Sequence, residues 1–248
     1  TTAGTGSECQ SFALISDAVT HSKMACGDTK AAPRIALLDP VLTLSQPKSV
    51  TVCTGMDAVT HAVETAVTKK RSPYSRLFSR EAFRLTIHAL PTVIAEPGNL
   101  AARGEMLLGA AYAGMAIEAS MLGAAHSMAN PLTAHFGTVH GQAVGLALPH
   151  IVRFNAYEPA VLSLYHDLAL YAGIAASEDN MNTALEKFVC RLEAVLEQVG
   201  LATRLSELGV KATDVSLLAQ EAGKQWTATF NPRPVTIQDF ERLYTGAL

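Results

Sequence analysis

The alternation of hydrophobic and polar residues changes near Pro47, and the part before it follows a short, strand-like pattern. The runs SFALISDAV and RIALLDP are apolar and β-prone, and the turn-rich piece ACGDTKAAP lies between them. Short apolar runs bounded by glycine, proline and aspartate are typical of strands or hairpins at the edge of a sheet. The pattern therefore predicts a small piece of α/β structure over residues 1–46.

Beyond Pro47 the apolar residues recur at helical spacing. The segment MDAVTHAVETAV is amphipathic, YSRLFSREAFRLTIHAL continues the pattern, and NLAARGEMLLGAAYAGMAIEAS is apolar enough to lie inside a bundle. Residues 47–248 are therefore predicted to form an all-helical domain. Prolines at Pro73, Pro91 and Pro97 are expected to separate the earlier helices. The later helices are expected at 159–172, 180–199, 213–226 and 236–247. Thr213 and Thr236 are the expected N-caps, and helices are expected to end near Gly173, Gly200 and Gly209.

Composition argues against several classes of protein. With 248 residues, of which 49% are hydrophobic and 17% charged, the chain can bury a sizeable core. A net charge of −3 and a pI near 6.2 give no electrostatic reason to expect nucleic-acid or membrane partners. The chain lacks a long apolar run and a signal-peptide pattern, and its four cysteines are widely spaced. We expect a cytoplasmic protein with reduced thiols, and the absence of an initiator methionine predicts a truncated or processed chain.

The first candidate chemistry is in the segment GMDAVTHAVE. Asp57 and His61 are four residues apart on a predicted helix, so their side chains project from the same face. A carboxylate and an imidazole that converge on one point are half of a metal site, although the same spacing is common in surface hydrogen bonds. A metal site therefore requires further ligands elsewhere in the chain.

Histidines further along the chain supply such ligands. His126 and His140 each follow small residues, which let the backbone approach closely without blocking an imidazole. His135 lies between them and competes as a ligand, whereas His88 and His150 are more easily interpreted as helix-face or core residues satisfied by a hydrogen bond. One aspartate and three histidines suit a divalent first-row metal such as iron or zinc. Spacing alone does not select the three histidines.

Five segments of the chain carry a family signature: TTAGTGSE, ALLDPVLTLSQP, TGMDAVTHAVE, GAAHSMANPL and GTVHGQAVGLALPHIVRFN. Together they resemble the iron-containing (group III) alcohol dehydrogenase family. They occur in the order, and near the separations, typical of that family, and the resemblance extends over essentially the whole chain. It implies a Rossmann-like dinucleotide domain followed by an all-helical metal domain, with the active site in the cleft between them. Residues 1–46 are then a remnant of the dinucleotide domain, and the chain is mainly α.

The resemblance also implies a set of metal ligands. By motif, Asp57, His61, His126 and His140 correspond to the family's ligands, and His135 becomes a bystander. The expected metal is Fe²⁺, with Zn²⁺ as the alternative. The family pattern GxPHG reads GTVHG here, which keeps the ligand in place.

The cofactor and proton-transfer residues depart further from the family. The resemblance implies that Thr1, Thr5 and Lys23 contact NAD or NADP, but the family's GGGS phosphate loop is not in this sequence, so a complete cofactor site is not expected. The family pattern HxMAHPLGA reads HSMANPLTA here and places Asn130 at a histidine position. An amide does not relay a proton near neutral pH as imidazole does, so the catalytic acid–base residue stays unassigned.

These features predict a metal-dependent alcohol dehydrogenase that transfers a hydride between a small-molecule alcohol or aldehyde and NAD(P). The metal acts as a Lewis acid on the alcohol or carbonyl oxygen. The chain is expected to be a truncated form with impaired cofactor binding, and an apolar face left by the missing part could drive assembly into a homo-oligomer. The alternatives are a catalytically inactive metal-binding helical module or oligomerisation piece, and a related polyol dehydrogenase or dehydroquinate-synthase-like enzyme.

Overall fold

The computed structural model describes residues 1–16 and 23–248, and most of this part of the chain is helical. This confirms the mainly α fold class. Short 3₁₀ turns separate several of the longer elements, as at Pro40–Thr43, Ala212–Asp214 and Trp226–Phe230. The strands and α-helices are β1 (Phe12–Ser16), β2 (Lys23–Gly27), α1 (Lys48–Val67), α2 (Pro73–Ala95), α3 (Leu100–Ser120), α4 (Ala124–Phe136), α5 (His140–Asn155), α6 (Pro159–Tyr171), α7 (Met181–Val199), α8 (Val215–Gly223) and α9 (Ile237–Gly246).

The strand-like sequence before Pro47 folds only in part as predicted. β1 forms where the run SFALISDAV predicts a strand, but it pairs antiparallel with β2, with Phe12 opposite Gly27, and β2 was not predicted. The turn-rich piece ACGDTKAAP begins inside β2 and turns only after Gly27. The predicted strand RIALLDP is wrong, because Ile35 and Leu37 are 79% and 88% exposed and pair with no strand in the described part of the chain. Residues 17–19 of SFALISDAV lie outside the described residues.

The N-terminal loop is seated directly on the helical part. Gly6 adopts a left-handed conformation with φ of 60°, and its carbonyl oxygen lies 2.3 Å from where a Cβ on Gly114 of α3 would stand. The backbone N–H and the hydroxyl of Ser11 donate to the carboxylate of Glu118 at 2.9 and 2.5 Å. Because two glycines meet without side chains between them, the loop lies close against α3.

α1 lies at the centre of the helical part and packs against α2, α3 and α5. Every residue from Gly55 to Val67 is buried, as expected for a helix covered on all sides. Its threonines satisfy their hydroxyls locally, since Thr60 donates to the carbonyl oxygen of Met56 and Thr65 to that of His61. Asp57 and His61 face each other at 3.3 Å on this helix, whereas Glu64 finds its hydrogen-bond partners at the start of α4.

α1 and α5 approach so closely that only glycine fits at one point of contact. A Cβ added to Gly141 would lie 1.8 Å from the carbonyl oxygen of Cys53, and one added to Gly145 would lie 2.4 Å from Cγ of Met56. Both glycines are buried. This contact brings the first turn of α5, which begins at His140, next to the middle of α1.

Two predicted helix boundaries are wrong. Pro91 does not end α2, which continues to Ala95, because packing against α1 and α3 outweighs the single backbone hydrogen bond that proline removes. Thr213 is not an N-cap: it lies within the 3₁₀ turn Ala212–Asp214, and α8 begins at Val215.

Other boundaries agree with the sequence. The hydroxyl of Thr236 accepts from the backbone N–H of Asp239, and Gly200 ends α7 in the left-handed conformation. Taken singly, no helix within the described ranges has the length and apolarity to cross a membrane; α3 and α4 meet that criterion only as a pair, bent by 106° at their junction.

Candidate metal centre

Four side chains predicted as metal ligands meet at one point between α1, α4 and α5. Asp57 and His61 project from the middle of α1, His126 from the first turn of α4, and His140 from the first residue of α5. Oδ1 of Asp57 lies 3.3 Å from Nε2 of His61, 3.6 Å from Nε2 of His126 and 3.8 Å from Nε2 of His140. Asp57, His61 and His126 are buried, and one ligand atom from each lies within 4.8 Å of the others.

The donor atoms have the separations that a first-row metal requires. In a tetrahedral site with bonds of about 2.1 Å, neighbouring ligand atoms are about 3.4 Å apart, and the three distances from Asp57 bracket that value. Oδ1 of Asp57 and Nε2 of His126 are buried and have no hydrogen-bond partner among the described residues. One carboxylate and three imidazoles form a mixed oxygen and nitrogen set suited to Fe²⁺ or Zn²⁺. The residues therefore fit a divalent cation.

The pKa values at this point also favour a cation. Burial would raise the pKa of Asp57, but the facing His61, His126 and His140 outweigh burial and hold it below its ordinary value. Burial alone would lower the pKa of His126, but the carboxylates of Glu64 and Asp57 raise it to about 9. For His61 burial dominates and the pKa falls. In the metal-free chain the proton on His126 therefore holds the place of a cation between two carboxylates.

Glu64 is a component of this site that the sequence reasoning missed. Its carboxylate is buried on α1, and Oε2 lies 2.6 Å from Nδ1 of His126. The same carboxylate accepts backbone N–H groups from Gly123 at 3.0 Å and from Ala125 at 2.7 Å. The available signal was its position, three residues after His61 on the same face of the helix.

The junction that leads into α4 is strained. Met121 follows α3 with φ of 69° and ψ of 179°, a conformation that residues other than glycine rarely adopt. Its backbone N–H donates to the carbonyl oxygen of Ile117 at 2.9 Å. This turn redirects the chain so that the first turn of α4 faces α1, which brings His126 to Asp57.

The four converging side chains open onto a cavity of about 540 Å³. The hydroxyls of Thr5 and Ser7 form part of its wall, and those two hydroxyl oxygens lie 2.9 Å apart. The rest of the wall is largely apolar, so a small organic molecule could bind beside the ligand cluster. The other lining residues are Gln10, Phe12, Ala13, Ile117, Met121, Leu122 and Trp226.

The predicted cofactor residues are distributed over different places. Thr5 lines the cavity beside the ligand cluster, whereas Thr1 lines a separate narrow recess together with Thr54 and Arg103. Lys23 is the first residue of β2, and its side chain lies outside the described part. Of the two predicted residues whose side chains the structure describes, Thr5 therefore lines the cavity that His126 also lines, and Thr1 lines the other recess.

The remaining candidate residues are engaged elsewhere. Nε2 of His135 lies 2.7 Å from a carboxylate oxygen of Glu221 in a half-exposed pair, and Nε2 of His88 lies 2.7 Å from the carbonyl oxygen of Ala172. The amide of Asn130 donates to Oε1 of Gln225 at 2.9 Å. His135 is therefore not brought to the ligand cluster, and Asn130 points to a neighbouring amide.

Comparison with known proteins identifies the class to which this fold and site belong. The family described as Fe-containing alcohol dehydrogenase family, C-terminal, matches residues 51–248, and the family described as Iron-containing alcohol dehydrogenase matches residues 1–40. The chain belongs to the iron-containing alcohol dehydrogenase family, as its motifs predicted.

Individual relatives agree with this assignment. The chain is 33% identical to the NAD-dependent methanol dehydrogenase of Bacillus methanolicus and 32% identical to the lactaldehyde reductase of Escherichia coli; each alignment covers 100% of this chain, but only 65% and 64% of the relative. Among solved structures, 1,3-propanediol oxidoreductase is 32% identical with a TM-score of 0.94, covering 100% of this chain and 64% of that one. The alcohol dehydrogenase from Oenococcus oeni is 32% identical with a TM-score of 0.93, again covering 100% and 64%. The chain spans about two thirds of the length of these relatives.

Proposed function

We propose that this chain is the metal-binding part of an NAD(P)-dependent alcohol dehydrogenase, with Asp57, His61, His126 and His140 as the metal ligands. The observation that carries the proposal is the convergence of these four side chains at the wall of a cavity. Nε2 of each histidine lies 3.3–3.8 Å from Oδ1 of Asp57. The family membership supports the reaction class. The names of the relatives, which include methanol, 1,3-propanediol and lactaldehyde, point to small alcohols and aldehydes as substrates.

The proposed mechanism divides the work between the ligand cluster and the cavity wall. A divalent metal bound there supplies Lewis-acid stabilisation of the negative charge that develops on the substrate oxygen as hydride leaves for nicotinamide. The residues that hold the metal bring a single negative charge, from Asp57, because metal-bound imidazoles are neutral. Ile117, Met121 and Trp226 line the cavity beside it and would bind the carbon chain and exclude water.

The cofactor side of the proposal rests on fewer residues. The Thr5 and Ser7 hydroxyls would contact the nicotinamide end of NAD or NADP, since they line the same cavity as the ligand cluster. Thr1 and Lys23 would contact other parts of the cofactor. A dinucleotide gains much of its affinity from its pyrophosphate, usually held by a glycine-rich turn at a helix N-terminus, and no such turn is in this sequence. We therefore propose that the 248 residues alone bind NAD(P) weakly, with residues 1–46 as one unit and 47–248 as the metal domain.

Metal analysis of purified variants tests the ligand set. His126→Ala or His140→Ala is expected to lower bound divalent metal by at least about tenfold, a scale that even residues around a metal site reach. His135→Ala is the matched control and is expected to keep its metal, because His135 pairs with Glu221 instead. Unchanged metal content in both ligand variants would contradict the proposed site.

An assay with NAD and NADP then separates the enzyme from the alternative of an inactive metal-binding module. Oxidation of methanol and 1,3-propanediol and reduction of lactaldehyde would be measured on metal-loaded chain, with and without an N-terminal extension that supplies a dinucleotide-binding half. Turnover that appears with the extension supports the dehydrogenase. Metal binding without turnover in either form would support the module.

A further inference from the structure

We infer that Glu64 is a positioning residue that fixes the tautomer and direction of the His126 ring, so that His126 presents Nε2 to the metal. The inference rests on the proposed metal site and concerns a residue outside the predicted ligand set. The geometry that carries it is the buried carboxylate of Glu64, which faces three nitrogen atoms at the start of α4.

The hydrogen bonds around Glu64 determine which nitrogen of His126 carries the proton. Two of the three groups that face the carboxylate are the backbone N–H groups of Gly123 and Ala125, which can only donate. An ionised carboxylate can only accept, so the third group, Nδ1 of His126 at 2.6 Å, must also donate. A neutral His126 ring therefore carries its proton on Nδ1 and has its lone pair on Nε2.

When the His126 ring is neutral, as a metal ligand must be, the lone pair on Nε2 points into the ligand cluster. Nε2 of His126 lies 3.6 Å from Oδ1 of Asp57, and neither atom has a hydrogen-bond partner among the described residues. Two electron-rich atoms that face each other in a buried place repel unless a cation lies between them. A carboxylate that holds the outer nitrogen of a ligating histidine is a recurrent means of orienting the ring and raising its basicity.

Glu64 also holds the helix from which His126 projects. Gly123, the N-cap of α4, has no side chain with which to cap the helix, and the carboxylate of Glu64 accepts two of the N–H groups at this helix start. These bonds follow directly on the strained Met121, so they help to hold the turn in its unfavourable conformation. Glu64 thus controls both the ring of His126 and the position of its backbone.

A purely structural role for Glu64, as a helix cap, predicts a different outcome from a positioning role. The matched control is Asn231, whose Oδ1 accepts the backbone N–H of Ala124 at the same helix start without touching His126. Asn231→Ala also breaks a buried amide pair with Asn155, so it lowers stability. If capping were the only function, Glu64→Gln and Asn231→Ala would have the same effect on metal affinity.

The experiment compares Zn²⁺ affinity in the wild-type chain, Glu64→Gln and Asn231→Ala by competition with a chromogenic chelator, using folded protein checked by circular dichroism. In Glu64→Gln, one of the two terminal atoms becomes a donor, so the three N–H groups cannot all be accepted. With the amide oxygen toward Ala125, the NH₂ faces both the N–H of Gly123 and Nδ1 of His126; Nδ1 must then accept, and the ring proton moves to Nε2, where it blocks the metal. With the oxygen toward His126, the NH₂ meets the N–H of Ala125, and the negative charge that raises the basicity of the ring is lost. We expect Zn²⁺ affinity to fall about 10–100-fold, whereas Asn231→Ala stays within about twofold of wild type.

A second measurement needs no variant. Nitrogen-15 NMR of the Zn²⁺-loaded wild-type chain is expected to show His126 protonated on Nδ1 and metal-bound through Nε2. The reverse assignment, or Zn²⁺ affinity in Glu64→Gln equal to that of Asn231→Ala, would overturn the role of Glu64 while leaving the metal site in place. The metal site itself would be overturned if the wild-type chain bound no Zn²⁺, or if His126→Ala bound Zn²⁺ as tightly as the wild-type chain.

Discussion

Replacing Gly141 by alanine is the sharpest test of how the helices build the proposed metal site. The added Cβ would lie 1.8 Å from the carbonyl oxygen and 2.9 Å from Cα of Cys53, both backbone atoms that no rotamer change can move. To reach even a tight contact of about 3.0 Å, α5 must move away from α1 by at least about 1.2 Å, because packed interiors have no free space to absorb it.

That displacement is large compared with the tolerance of a metal site. His140 is the neighbour of Gly141 at the start of α5, and its Nε2 lies 3.8 Å from Oδ1 of Asp57 on α1. Metal–ligand distances hold to about ±0.2 Å, so a shift of more than about 1 Å takes His140 out of reach of an ion held by the other three ligands. We expect Zn²⁺ affinity to fall at least about tenfold. The overpacking itself should cost about 1–3 kcal/mol, or about 2–12 °C in Tm for a chain of this size.

The assay is calorimetric titration of Zn²⁺ into metal-free protein, together with thermal unfolding. Gly104→Ala is the control, because a Cβ on Gly104 would meet only Cγ of Pro40 at 3.9 Å. Since alanine is the better helix former, Gly104→Ala should gain up to about 1 kcal/mol of stability and keep its metal. Gly141→Ala with wild-type Zn²⁺ affinity would refute the claim that the α1–α5 contact positions His140.

Three further predictions concern strain, pH and the cofactor. Met121→Gly should be more stable to urea than Met121→Ala by about 1 kcal/mol or more, because only glycine relieves the positive φ; equal stabilities would show that the turn is not strained. In the metal-free chain, the pKa of His126 is raised to about 9, so the stability that its proton contributes is present below about pH 6.5 and lost as pH rises to about 9. Tm should therefore fall between these pH values, and it should fall less in His126→Gln. A pH-independent Tm would contradict the raised pKa. Titration of NAD and NADP against the 248-residue chain should give weak binding that an N-terminal extension strengthens, and micromolar binding by the short chain would contradict this.

The sequence predicted the helical architecture well because its signal is local. The spacing of Asp57 and His61 places both on one face of a helix that exists as expected. Where packing decides, the sequence was less informative. Pro91 was expected to end a helix that continues to Ala95, and RIALLDP was expected to pair as a strand although Ile35 and Leu37 are exposed. Apolar character indicates burial only where a partner element is available.

The site could be predicted only in part, for a reason that the geometry makes clear. His126 and His135 are nine residues apart on α4, which is two and a half turns, so they face opposite sides of the helix. This could not be used beforehand, because Pro131 lies between them and the continuity of α4 was unknown. Glu64 was missed because its partner, His126, is distant in sequence and reaches it only through the turn at Met121.

The placement of the four side chains along their helices has a kinetic consequence. Asp57 and His61 lie in the middle of a helix covered on every side, so they move only when a large part of the molecule opens. His126, in the first turn of α4, is buried and held by Glu64, whereas His140 is the first residue of α5, is 25% exposed and follows an N-cap that makes no side-chain hydrogen bond. An ion bound here would therefore leave by detaching first from His140, and its residence time would depend on how often the first residue of α5 opens rather than on the global unfolding rate.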